Sequence, residues 1–246
     1  MTEGPIFAVP ASTYRHDMRF PNESAEYRAA RNELLRQEID LRRHIERVAA
    51  TRRALPAGGA IPEDYRFNQG SDSEKAFSEL FGDRGTLIVY SLMFGPERER
   101  PCPSCAALLD GLDGSARHIE RSAALVVVAK SPLERILAAA RQRGWQHLRF
   151  TSSQGTSYNA DYGAEDKDGT EWPALNVFTR DAGGTVRHFY AAEMLFTKPD
   201  PGQDFRHNGP IDQIWGMLDF TPQGRGTDWH PQLEYGPEAG PNQDAA

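Results

Sequence analysis

Residues 86–105 read TLIVYSLMFGPERERPCPSC, an apolar run (Leu87, Ile88, Val89, Tyr90) that passes through a polar turn into Cys102-Pro103-Ser104-Cys105. The run is rich in β-formers and has the composition of a buried strand. Pro103 suits the first position of a helix, where a missing N–H costs nothing. Cys102 then lies at the helix edge, and Cys105, three residues on, returns to the same face one turn inward. A thiolate rather than a thiol attacks a disulfide, so a working cysteine must have its pKa lowered. The free N–H groups and positive dipole end of a helix N-terminus lower it. This spacing assigns Cys102 as nucleophile and Cys105 as the thiol that resolves a mixed disulfide. Arg98 and Arg100 favour the thiolate, whereas Glu97 and Glu99 oppose it.

These are the only two cysteines among 246 residues. A zinc site would need two histidines beside them, and no His pair has ligand spacing, so neither a metal nor an organic cofactor is expected. The net charge of −7 argues against a nucleic-acid partner. No stretch approaches the ~18 consecutive apolar residues of a membrane span. The first twenty residues show no basic segment followed by an apolar one, so the expected location is the cytoplasm, where a paired thiol works rather than staples.

Upstream, residues 1–24 read as an extended arm. Residues 25–55 contain no Gly or Pro and form a long amphipathic helix with Ser24 as N-cap. Tyr27, Leu34, Leu41, Val48 and Leu55 recur every seven residues, but Arg31, Glu38 and Arg52 occupy the companion positions, so a regular two-stranded coiled coil is not supported. The stripe either packs on its own domain or serves a homodimer or another partner. Residues 57–70 are a connector with a short strand at 65–67, and 71–80 are expected to be helical. Downstream, Gly111 and Gly114 should bend or interrupt the helix that follows the cysteines. Residues 123–129 (AALVVVA) form a central strand, Ser131-Pro132 opens a helix to Gln142, and 148–151 read as a third strand. Residues 152–171 are a polar loop whose Glu165, Asp166 and Asp168 match no calcium loop. A hairpin spans Trp172 to Tyr190, with His188 and Tyr190 as structural residues. A short helix follows around Ile211, Ile214, Trp215 and Leu218, and the tail 236–246 is expected to be disordered. Strand, helix and strand followed by a hairpin imply an α/β fold, a mixed β-sheet with helices on both faces.

The helix ending ATRRALP, the stretch SELFGDRGTLIVYSLMFGP, CPSC with Asp110-Gly111, PALNVF, and LDFTPQGR (218–225) together carry a resemblance. The chain resembles the DUF899 group of dithiol–disulfide oxidoreductases, of thioredoxin-like fold, over about residues 25–230. The resemblance implies a thioredoxin-like domain over 57–235 and an N-terminal arm with a long helix over 1–56. It also implies that Pro173 matches the superfamily's cis-proline beside the cysteines. Two departures stand out. Thioredoxin has Trp before its first cysteine and a buried Asp on the preceding strand; this chain has Pro101, and Tyr90 or Ser91. The usual proton-handling group is therefore not evident.

The leading reading is a thiol–disulfide oxidoreductase acting on a protein or small-molecule disulfide or thiol through Cys102 and Cys105, with Pro173 beside them. A thiol peroxidase of peroxiredoxin-like type is the second reading, although residues 96–100 do not supply its Pro-x-x-x-Thr/Ser pattern. The third is a non-catalytic binding module built on the same fold.

Overall fold

In the computed structural model, residues 18–70, 73–207, 209, 212–227 and 229–236 are described. The chain divides into two compact units, Met1–Leu55 and Pro56–Ala246. The first is built on α1 (Ala25–Arg53), 29 residues capped by Ser24, whose hydroxyl accepts the Tyr27 N–H at 3.0 Å. No α1 residue is buried. Its apolar stripe lies open, with Leu41 59% and Ile45 57% exposed.

The second unit carries a seven-stranded mixed sheet: β1 (Arg66–Gly70), β2 (Ser73–Ala76), β3 (Thr86–Ser91), β4 (Ala124–Ala129), β5 (Phe150–Ser152), β6 (Ala174–Arg180) and β7 (Val186–Ala191). The spatial order is β2-β1-β5-β4-β3-β6-β7. β4 is parallel to β3 and β5, and β6 is antiparallel to β3 and β7. A parallel β3–β4 pair extended by an antiparallel hairpin on the other side of β3 is the thioredoxin-like order. Helix α2 (Pro103–Ile119) connects β3 to β4, and α3 (Leu133–Arg143) connects β4 to β5. Two short helices, α4 (Tyr158–Asp161) and α5 (Gln213–Leu218), complete the unit.

Alternation along the central strands divides the core into two layers. Tyr90, Leu125, Val127 and Ala129 pack with Cys105, Leu109 and Ile136 from α2 and α3. Leu87, Val89, Val126 and Val128 point to the opposite face, which is filled by Tyr65, Phe67, Phe77, Tyr158 and Phe178. All six residues of β4 are buried, as its unbroken apolar run requires of a strand covered on both faces.

Three local readings are corrected. Residues 73–76 are strand, not helix, and only Phe77–Phe81 coil, as a 3-10 turn. The glycines do not interrupt α2. Gly114 meets open space, and a β-carbon at Gly111 would come within 3.2 Å of the Gln213 side chain on α5, so Gly111 lets α5 approach. Ser131 does not cap α3. Pro132 occupies that position, and the Ser131 hydroxyl instead donates to the Gly95 carbonyl at 3.1 Å. The loop at 152–171 is also less solvated than its composition suggests, because Tyr158, Asn159 and Ala164 are buried. Residues 237–246 of the tail expected at 236–246 and residues 1–17 of the arm expected at 1–24 lie outside the described residues, as does Ile211.

Asp113 holds α2 to the segment entering β5. Its carboxylate accepts backbone N–H groups from Gln146 (3.2 Å), His147 (2.8 Å) and Leu148 (3.0 Å). Burial pushes its pKa up, but the three donors outweigh burial and leave it below the ordinary carboxylate range.

Candidate active site

The cysteines lie where the carboxyl end of β3 meets the N-terminus of α2, at the boundary between the parallel and antiparallel halves of the sheet. Beyond Ser91 the chain remains tied to its neighbours. The Leu92 N–H donates to the Val128 carbonyl (2.8 Å), and the Cys102 N–H donates to the Met93 carbonyl (3.0 Å). The intervening loop is held from α3. The Phe94 carbonyl accepts the Ser131 N–H at 3.0 Å. Arg135 donates to the carbonyls of Pro96 and Arg98, and its guanidinium lies 4.9 Å from the Phe94 ring centroid. Arg98 in turn pairs with Glu171 at 3.0 Å, joining this loop to the segment before β6. These bonds account for a loop of eight residues that delivers Cys102 to a fixed point.

Cys102 is the N-cap of α2, with φ −58° and ψ 128°, and Pro103 occupies the first turn. Cys102 is half-buried and Cys105 is 2% exposed; both are free thiols. The neighbouring Cys105 thiol is the main influence that favours a Cys102 thiolate, ahead of the backbone N–H groups of Cys105 and Ser104 at the start of α2. Burial opposes these donors, and the Arg98 charge adds to them, so the Cys102 thiol is lowered to about 6. Cys105 is displaced the other way. The neighbouring Cys102 and burial hold it well above an ordinary thiol. The two thiols are thus set apart: the half-buried one ionises readily at neutral pH and the buried one does not.

Of the four charged residues near the motif, Arg98 acts on Cys102 electrostatically, whereas the Arg100 side chain pairs with Glu234. Pro101 is buried, and beside it a cavity of ≈ 430 Å³ opens between the loop and α3, lined by Phe94, Arg100, Arg135, Arg143 and Leu233.

Pro173 immediately precedes β6, whose Ala174 pairs with Ser91. Leu175, two residues further on and so on the same face, packs against the layer that contains both cysteines. The peptide bond before Pro173 is not the cis bond that the resemblance implies; no described peptide bond is cis. Trp172, the residue before it, is held by its N–H on the Ala164 carbonyl (3.0 Å) and its indole on Asp166 (3.3 Å). A proline opening a strand in the trans form meets no conflict there.

His188 lies on β7 with Nε2 2.9 Å from Asn176 Oδ1, and burial lowers its pKa. Asp166 accepts the N–H groups of Asp168 and Thr170 within its own turn, at 2.9 Å each. Among the described residues no group of three His, Cys, Asp or Glu side chains could hold a metal ion. No helix among them is long and apolar enough to cross a membrane. Tyr90 is the site residue that the motif itself does not reveal. It lies on β3, buried in the layer that contains Cys105, and is one of the influences that lower the Cys105 thiol.

The model of a family described as a bacterial protein of unknown function, DUF899, matches residues 18–238. No curated protein matches the chain. Among solved structures, a reduced Prx3 from Vibrio vulnificus in complex with H2O2 is similar at 14% identity and a TM-score of 0.39, covering 55% of this chain and 87% of that one. A peroxiredoxin-like protein from Aquifex aeolicus is 16% identical over 56% of this chain and 75% of its own, with a TM-score of 0.39. A putative protein disulfide isomerase from Bacteroides thetaiotaomicron is 18% identical over 59% and 82%, with a TM-score of 0.38.

Proposed function

The chain belongs to the DUF899 family, and we propose that it works there as a thiol–disulfide oxidoreductase whose redox pair is Cys102 and Cys105. One observation carries the reading: two free thiols lie in one turn at the N-terminus of α2, one half-buried and one buried, and each displaces the other's pKa in the opposite direction. In the reducing direction, the Cys102 thiolate attacks a substrate disulfide R–S–S–R′. A Cys102–S–S–R bond forms and R′S⁻ departs. Cys105 then attacks Cys102 Sγ; the protein disulfide closes and RSH leaves with the proton from Cys105. The substrate gains two electrons and the cysteine pair loses two. Run backwards, the same steps oxidise a dithiol.

Intact mass and thiol counting on the native protein test this. The expected result is reversible loss of both thiols together, and Cys105→Ser should trap mixed disulfides through Cys102. A pair that does not cycle would sink the proposal. Rapid peroxide consumption that needs Cys102 and is indifferent to Cys105 would point to a thiol peroxidase instead.

A further inference from the structure

The cavity of ≈ 430 Å³ between the 94–101 loop and α3 has the size of a small-molecule site. Arg100, Arg135 and Arg143 line it against Glu99 and Glu234, a positive balance in a chain whose net charge is −7. The three arginines are not equally engaged. Arg143 is neutralised by the Asp110 carboxylate and also donates to the Leu233 carbonyl. Arg135 donates only to neutral acceptors, the carbonyls of Pro96, Arg98 and Glu99 and the Ser131 hydroxyl, and pairs with no carboxylate among the described residues. Arg100 is paired with Glu234, and the two side chains are 52% and 69% exposed. An ion pair so open to water is weak, and another carboxylate can take the place of the first.

Glu234 reaches Arg100 from a segment that is itself anchored. Trp229 lies edge-on to Trp215 of α5 at 5.7 Å, and Leu233 packs on the apolar layer that also holds Phe94 and Cys102. The nucleophile is near for a covalent reason. Pro101, the residue before Cys102, is part of the cavity wall. Two residues span at most about 7 Å of chain, so a group joined to Cys102 Sγ comes within reach of the long Arg100 side chain.

We propose that Arg100 and Arg135 form a carboxylate subsite beside the redox pair, that the substrate is a small disulfide or thiol bearing a carboxylate, and that Glu234 occupies Arg100 in the resting protein as an internal stand-in for that group. The inference rests on the dithiol reading above and names its substrate class. In the reducing direction, a disulfide R–S–S–R with a carboxylate on each R sets one carboxylate on Arg100 and displaces Glu234. The Cys102 thiolate attacks the nearer sulfur, the Cys102–S–S–R bond forms, and RS⁻ leaves. The retained R group keeps its carboxylate on the arginines while Cys105 resolves the adduct. Arg135 serves the subsite and the loop together, because the carbonyls it binds belong to the segment that carries Arg100. Glu99, exposed on the same wall, opposes the anion and limits the preference.

The test uses the full-length reduced protein and three disulfides that differ in charge: dithiodipropionate (anionic), bis(hydroxyethyl) disulfide (neutral) and cystamine (cationic). Each rate of adduct formation at Cys102 is divided by the rate of the same disulfide with free mercaptoethanol, which removes differences in intrinsic reactivity. The anionic compound should be preferred over the neutral one by about fivefold or more, with cystamine last. The preference should shrink as salt rises, because a local cation supplies it. A net charge of −7 acting as a whole predicts the opposite on both counts. Arg100→Gln should lower the preference about threefold, and Glu234→Gln, which frees Arg100, should raise it about twofold. Arg141→Gln removes the same charge from an exposed position on α3 outside the cavity wall and should leave the preference as it was. No anionic preference, a preference that grows with salt, or equal effects of Arg100→Gln and Arg141→Gln would overturn the proposal. The salt series on the unsubstituted protein decides the matter even if a variant does not fold. If Cys102 reacts with none of the three disulfides, the dithiol reading itself fails, a result distinct from indiscriminate reaction with all three.

Discussion

Replacing Cys105 with alanine asks how much of the Cys102 thiolate depends on its partner. The Cys105 thiol is the strongest support of the low Cys102 pKa, ahead of the two backbone N–H groups and Arg98. With a pKa of about 6, Cys102 is about nine-tenths ionised at pH 7, against a few per cent for an ordinary cysteine. A hydrogen bond to an ion contributes about 1.5–3 kcal/mol, and a pKa unit corresponds to about 1.4 kcal/mol, so Cys105→Ala should raise the midpoint by roughly one to two units. Cys105→Ser keeps a donor of similar reach and should raise it less. The thiolate absorbance of the reduced protein and the pH profile of iodoacetamide alkylation report the same ionisation. Rates need care, because nucleophilicity falls with pKa. A depression of about 2.5 units from ~8.5 costs roughly thirteenfold in intrinsic reactivity at a Brønsted coefficient of about 0.45, which offsets much of the gain in thiolate at pH 7. The midpoint, not the rate at one pH, is therefore the decisive readout. Identical midpoints for Cys105→Ala and the unsubstituted protein would refute the claim that the neighbouring Cys105 thiol governs the Cys102 ionisation. An unsubstituted midpoint near ~8.5 would refute the wider electrostatic argument.

Three further outcomes are expected. Between the low pKa of Cys102 and the ordinary thiol range, the unfolded chain holds both thiol protons and the folded chain only one, so stability of the reduced protein should rise with pH; above that range the unfolded chain holds none while Cys105 keeps its own, and stability should fall. Denaturant melts of reduced protein across pH, with the oxidised protein as reference, check for that maximum. Asp113→Ala strands three backbone donors and should destabilise the protein by about 2–4 kcal/mol, whereas replacement of the exposed Asp168 should stay within about 0.5 kcal/mol in the same melts. Gly58→Ala places a β-carbon 2.0 Å from the His188 carbonyl oxygen, so it should loosen the bridge between Ala60 and Arg187 and accelerate amide exchange at His188, whose N–H is bonded to the Gly59 carbonyl.

The parts of the fold that are legible in the sequence are those fixed by contiguous residues. β4 announces itself because six buried positions leave no room for a polar side chain, and Cys-Pro-Ser-Cys carries its own helix start. β2 is invisible because it is an edge strand of Ser-Glu-Lys-Ala, held by its ladder to β1 rather than by alternation. The glycines of α2 mislead because an interior helical glycine costs only about 1 kcal/mol, which the burial of Ala106, Leu109 and Ala116 on the same helix outweighs. Asp113, Arg135 and Tyr90 are legible only in three dimensions, since each acts on atoms that the chain delivers from another element. For Tyr90 the trace in the sequence is its place on the strand that leads to the cysteines, but which of Tyr90 and Ser91 faces them depends on the phase of the pleat.

β3 is hydrogen-bonded along both edges, to β4 on one side and β6 on the other. Local opening of a protein begins where backbone bonds are few or solvent-facing, and a strand ladder shared on two sides is among the last parts to open. The loop that leads to the cysteine pair thus starts from a strand among the last parts of the domain to open, and both cysteines lie within one turn of the start of α2. On the dithiol reading, exchange between thiol and disulfide would then call for side-chain rotation rather than melting of a helix, and a partner's preference between the two oxidation states would come from the sulfurs and the surface immediately around Cys102.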